Sequence, residues 1–62
     1  MTKEKFIRIQ KQRGYEVEEM GKTVTLRMDD EESEYTAIWF FNENGSIDEN
    51  HKPVWSLKKH NR

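Results

Sequence analysis

The residues of this chain best suited to bond-making chemistry are the run Asp48-Glu49-Asn50-His51, with a second imidazole far along the chain at His60. Carboxylates beside an imidazole can ligate a cation or pass a proton. The spacing argues against a metal. No His-x-x-x-His or Glu-x-x-His pattern sets two ligands on one helical face, and no Asp-x-Asp-x-Asp-Gly calcium loop is present. The chain has no cysteine, so thiolate zinc sites and disulfide frameworks are excluded, and a reducing compartment is its natural setting. Catalysis needs a nucleophile and base, or paired carboxylates, held in a cleft, and both histidines fall in segments that read as loop and tail. The expectation is a chain with no catalytic residue, no metal and no cofactor. Asn44-Gly45-Ser46 matches a glycosylation acceptor, but a turn explains it as well.

Two charged clusters are suited to binding. The acidic run Asp29, Asp30, Glu31, Glu32 and Glu34 could steer a basic partner or imitate a phosphate array, against the plainer reading of a solubilising loop. Lys5, Arg8 and Lys11, with Gln12, share one face of a helical projection and could follow phosphates together with Lys58 and Lys59 in the tail. An outward helix face is ordinarily charged, and a sequence pI of about 6.1 does not favour nucleic acid. The formal net charge of −1 conceals a basic N-terminal segment, an acidic middle and a mildly basic end.

These residues must be positioned by very little protein. Sixty-two residues, 32% hydrophobic and 37% charged, make one domain (1–62) near the lower limit for folding without metal or disulfides. No run approaches the roughly 20 apolar residues of a membrane helix, and the first residues lack a signal-peptide core. The composition reads as a cytoplasmic protein with no membrane partner.

Thr2 is a good N-cap, Lys3–Arg13 contains neither Gly nor Pro, and Gly14 stands where a helix stops, so the pattern predicts a helix over 3–13. Its apolar stripe is thin: Phe6, Ile7 and Ile9, with Gln10 and Arg13 inside or beside it. So short a helix must dock on a flatter element to be ordered. Residues 15–20 and 23–28 alternate in polarity about Gly21-Lys22 and predict a hairpin. Residues 29–34 read as a polar connection, 35–42 as a third strand, and Asn44-Gly45 as a type I′ turn that brings Ser46-Ile47-Asp48 back alongside. Pro53 belongs to a loop, Val54–Leu57 to a final extended or irregular segment, and 58–62 to a fraying tail. The fold class is α+β, an N-terminal helix on a three- to four-stranded antiparallel sheet.

On the third strand Tyr35, Ala37, Trp39 and Phe41 point one way, while Thr36, Ile38, Phe40 and Asn42 point the other. Both faces are apolar, and one helix covers only one. The favoured expectation is that Ile47, Val54, Trp55 and Leu57 fold over the second face; burial by a homodimer or a target protein is the alternative. The aromatics expected to meet a partner are Trp39 or Phe40 with Trp55, oriented by Asp29–Glu32.

The order helix, hairpin, third strand, with Lys11-Gln12-Arg13-Gly14-Tyr15 closing the helix and opening the sheet, resembles the first two thirds of the double-stranded-RNA-binding fold and of its miniature in HicA-type ribonuclease toxins. The likeness covers residues 2 to about 42 and is topological. Where those toxins carry a histidine on the second strand, this chain has Gly21-Lys22-Thr23-Val24, so the resemblance implies the architecture without the cleavage chemistry. A short, cysteine-free, Lys/Glu-rich chain with an aromatic central strand is also similar to orphan proteins of phages and prophages of low-GC Gram-positive bacteria. That resemblance implies binding to a host protein, as a modulator or inhibitor of a defence enzyme. The expected function is non-catalytic protein binding, with a small nucleic-acid binder as the alternative.

Overall fold

A computed structural model describes residues 1–60, with one helix and four strands: α1 (Lys3–Gln12), β1 (Glu16–Met20), β2 (Thr23–Asp29), β3 (Ser33–Phe40) and β4 (Val54–Lys59). The strands form one antiparallel sheet in the order β1-β2-β3-β4, with α1 packed on one face over β1. The fold is α+β.

Both ends of α1 are closed as the sequence predicts. The Thr2 hydroxyl accepts from the Lys5 amide at 3.3 Å. At the other end Arg13 is the C-cap and Gly14 takes φ +94°, its amide donating to Lys11 and that of Tyr15 to Gln10, both at 3.1 Å. These paired back-bonds are a Schellman motif, which needs the left-handed conformation that glycine enters without a Cβ penalty. The N-terminus of α1 is anchored too: the Lys3 amide donates to the Gly45 carbonyl at 2.8 Å, and the Lys3 ammonium reaches Glu19 at 2.6 Å and the Gly21 carbonyl at 3.1 Å.

The core is small. Phe6, Val24, Leu26, Ala37 and Phe41 are buried, and Ile7, Tyr15, Val17, Tyr35, Trp39 and Ile47 pack around them. Phe6 is its centre, with ring centroids 5.2 Å from Trp39 and 5.3 Å from Phe41, in tilted and edge-on arrangements favoured by the aromatic quadrupole. The buried line of the helix runs through Phe6 and Gln10, while Ile9 is only half-buried.

The connections are shorter than the sequence suggests. Gly21-Lys22 joins Met20 to Thr23 with positive φ at the first central residue alone, the pattern of a type II′ turn. The acidic connection shrinks to Asp30, Glu31 and Glu32, because Asp29 extends β2 and Ser33-Glu34 open β3. Its compactness comes from Asp30, whose Oδ1 accepts from the Glu32 and Ser33 amides, both at 2.8 Å. The Asn44-Gly45 turn is not type I′, since no residue other than glycine has positive φ. Instead Gly45 donates to Asn42 and Asn42 to Ser46, making a three-residue loop that ends in a left-handed glycine. Phe41 then bridges Ile47, so the chain does turn back there.

The principal correction concerns residues 54–57. They do not fold over the second sheet face. Val54–Lys59 adds to β3 as an edge strand, Ala37 opposite Trp55 and Ile38 opposite Val54. Lys58 and Lys59, expected in a fraying tail, are its last two residues; the same expectation for 61 and 62 lies outside the described residues.

With so few buried side chains, Phe6→Ala is expected to cost about 3–5 kcal/mol, a large share of the whole stability of so small a domain. Urea denaturation followed by tryptophan fluorescence checks this, and a loss under 1 kcal/mol would show that α1 is not what closes the core.

Candidate functional site

Antiparallel pairing sets opposed residues on the same face, so the register maps both sides of the sheet. On the α1 side, β4 contributes Trp55, Leu57 and Lys59; the opposite side has no layer over it among the described residues. That open face is graded. One row is Met20–Thr23–Phe40 and the next is Glu18–Thr25–Ile38–Val54, followed by Glu16–Arg27–Thr36–Ser56 and then Asp29–Glu34–Lys58. Apolar side chains gather in the first two rows, hydroxyls run through the first three, and charges dominate the last two, with Glu18 at the β1 edge of the second.

At the apolar end Met20 is 64% exposed and Val54 60%, while Ile38 and Phe40 are half-buried. The His51 ring stands against Phe40, centroids 5.6 Å apart, and is held by its Nδ1 at 2.8 Å from an Asp48 carboxylate oxygen. Asp48 also accepts from the Asn50 amide at 2.9 Å. The imidazole and this amide hold its carboxyl below the usual aspartate range.

At the charged end Arg27 donates to Glu34 at 2.9 Å, and that bond raises the guanidinium pKa further. His60 Nε2 lies 2.8 Å from Asp29 Oδ1, and the His60 amide donates to the Glu32 carbonyl, so the acidic turn and the end of β4 are tied together. The two amides that Asp30 accepts, Ser33 first and then Glu32, pull its carboxyl down as well.

Of the three aromatics expected to meet a partner, only Phe40 lies on this face. Trp39 points to the α1 side and belongs to the core margin against Phe6. Trp55 also points to that side, 65% exposed, its centroid 6.4 Å from Tyr35, which in turn lies 6.2 Å from Tyr15. The row Tyr15–Tyr35–Trp55 runs away from the helix and ends in solvent, with Leu57 beside it at 55% exposure. The acidic residues divide: Asp29 is on the open face at the end of β2, whereas Asp30, Glu31 and Glu32 form the turn beyond it.

The basic residues do not assemble into one surface. Lys5, Arg8 and Lys11 are exposed along α1, on one side of the sheet. Lys58 faces the other side opposite Glu34, and Lys59 stands opposite Ser33. A phosphate backbone could not follow all five without turning around the sheet edge.

Among the described residues no group of His, Asp and Glu converges in a way that could hold a metal ion. Among the described residues each imidazole is bonded to one carboxylate, His51 to Asp48 and His60 to Asp29, with no hydroxyl hydrogen-bonded to either ring. The depression at the β1 edge, lined by Glu16, Glu18, Thr25 and Arg27, is open to solvent. No described helix is long and apolar enough to cross a membrane. Comparison with known protein families, curated proteins and solved structures finds no match.

Ile38 lies on the second face where alternation along the third strand puts it, whereas Val54, expected as cover for that face, is part of it. The signal for Val54 is a tail strand of alternating polarity after Pro53, which can be laid beside β3.

Both depressed carboxyls give a pH dependence of definite sign. A folded-state pKa below the unfolded one contributes stability that is complete above the unfolded value, about 4, and is lost as pH falls through the folded value. The Asp30 and Asp48 carboxyl resonances are therefore expected to titrate below those of exposed aspartates in an NMR titration. Asp30→Ala and Asp48→Ala should each flatten the acid limb of the stability profile. Ordinary midpoints for both carboxyls would contradict the hydrogen bonding described.

Proposed function

We propose that this chain is a non-catalytic protein-binding module whose open sheet face engages a host protein, in the manner of a small phage-type modulator or inhibitor of a host enzyme. The observation that carries this reading is the graded open face: Met20 and Val54 exposed and Phe40 and Ile38 half-buried at one end, with Glu18 at its β1 edge, and Glu16, Asp29 and Glu34 with Arg27 and Lys58 towards the other. Apolar contact supplies affinity through water excluded from large side chains. Carboxylates steer encounter and set orientation. The complementary partner carries an apolar patch flanked by basic residues. Hydroxyls interleaved with the apolar side chains suit a protein surface, because Thr23, Thr25, Thr36 and Ser56 can donate or accept.

Support for a non-catalytic role is chemical. A reaction requires groups held against a bound substrate, and the two imidazoles each face a single carboxylate on an open surface. The nucleic-acid reading is weakened because Lys58 faces the side of the sheet opposite to Lys5, Arg8 and Lys11, and Lys59, though on their side, stands on the edge strand farthest from α1.

The test is capture from a bacterial lysate with the purified chain as bait, read by mass spectrometry, beside the variant Met20→Glu. Met20 is exposed at the far edge of the patch, so the substitution is expected to leave the fold intact and to lower recovery of a specific partner at least tenfold. Captured partners should persist from 50 to about 200 mM salt, a range over which phosphate-tracking proteins lose roughly 10³–10⁵ in affinity. Equal capture by both forms, or recovery of nucleic acid alone, would overturn the reading.

A further inference from the structure

The two edges of the sheet are guarded differently. β1 carries Glu16, Glu18 and Glu19 along its short length and lies beneath α1. Charges on an edge strand are the usual defence against pairing with another chain. Every residue of β4 is exposed, and its stretch Val54-Trp55-Ser56-Leu57 carries no charge. It is also the strand farthest from the helix, and no described element overhangs it.

The free backbone groups of β4 follow from the ladder. His60 donates to Glu32, and hydrogen-bonded pairs alternate along antiparallel strands. Lys58, Ser56 and Val54 therefore bond to β3, while the N–H and C=O groups of Trp55, Leu57 and Lys59 point outward. The residues with unpaired backbone are the ones whose side chains stand on the α1 side, and two of them are the large exposed Trp55 and Leu57.

We infer that the β4 edge pairs antiparallel with β4 of a second copy of this chain, about a two-fold axis at Ser56, to form a continuous sheet with both helices on one side. In this register Trp55 lies opposite Leu57 of the second copy and Leu57 opposite its Trp55. Each of these pairs exchanges both backbone hydrogen bonds, and Lys59 donates to the carbonyl of Pro53, a residue that has no N–H to leave unpaired. The four large side chains fill the trough between the two helices and complete the interrupted row Tyr15–Tyr35–Trp55.

Charge along the strand does not oppose this occupant. Lys58 falls opposite Val54 of the second copy, and the two Lys59 residues move to opposite ends of the seam, about 20 Å apart. Head-to-tail addition of β4 to β1 would instead bring Trp55 and Leu57 against the edge that α1 overlies. A seam of six residues per copy buries less than the roughly 1,200 Å² at which stable specific interfaces begin, so a weak, reversible dimer is expected. The open face with Met20 and Phe40 remains free, so this pairing is independent of the host-protein reading; the Met20→Glu capture experiment reads that face and not this edge.

Sedimentation equilibrium from micromolar to millimolar protein should give a reversible species of twice the 7.5 kDa chain mass. Leu57→Lys, at an exposed position, should weaken association at least tenfold with unchanged circular dichroism. Leu57→Pro should do the same, since it removes an outward N–H and no bond to β3. The register has its own test, because the chain has no cysteine. Ser56 faces Ser56 of the second copy as a non-hydrogen-bonded pair, with Cα atoms about 4.5 Å apart, within disulfide reach. Oxidised Ser56→Cys should form a covalent dimer, whereas Val54→Cys, about 13 Å from its own copy, should link only when mixed with Lys58→Cys. A monomer at every concentration, a mass that grows without limit, a dimer insensitive to both Leu57 variants, or Val54→Cys linking to itself as readily as Ser56→Cys would each overturn the proposal.

Discussion

One short helix must serve a sheet of four strands, and the rest of the molecule follows from that mismatch. A helix is about 10 Å across and strands lie about 4.8 Å apart, so one helix shelters roughly two strands. α1 shelters β1, β2 and the Phe41 end of β3, and Phe6 is the side chain that reaches across them. β4 is left outside its reach, and so is the whole of the opposite face.

The fastenings of α1 show how a marginal helix is kept in place. Its ten residues would scarcely be helical alone, yet its first residues are fixed by contacts to distant chain segments and its last by a local cap. Lys3 joins the β1–β2 turn and the Gly45 loop, and the Schellman motif at Gly14 directs the chain straight into β1. The ion pair between Lys3 and Glu19 is partly exposed and contributes modestly; the backbone bonds and the burial of Phe6 carry more. A core of this size leaves little apolar material for enclosing aromatics elsewhere, so Trp55 and Leu57 stay in solvent while Phe40 is half-buried, with the His51 ring against it.

The two uncovered regions differ in chemistry. The open face grades from apolar to charged, which suits a target whose orientation matters. The β4 edge combines unpaired backbone with large side chains on the helix side. Polar devices stabilise the periphery of both: Asp30 draws the acidic turn tight, His60 fastens that turn to β4, and Asp48 holds His51 over the apolar end.

Periodicity and punctuation alone determined the helix, the Gly21-Lys22 hairpin, the third strand and the fold class, because these rest on local rules of capping, alternation and turn residues. The double-sided apolar character of residues 35–41 was equally legible, since alternation assigns faces without any knowledge of neighbours. What lies against each face was decided by tertiary structure. Val54–Lys59 could as well have crossed the sheet as joined its edge, and the choice depends on backbone hydrogen bonds to β3, 15 or more residues away in sequence, which no local pattern encodes. The same pairing turned Trp55 away from Phe40 and sent Lys58 and Lys59 to different sides, because a residue's face in a sheet is set by its register with a partner strand.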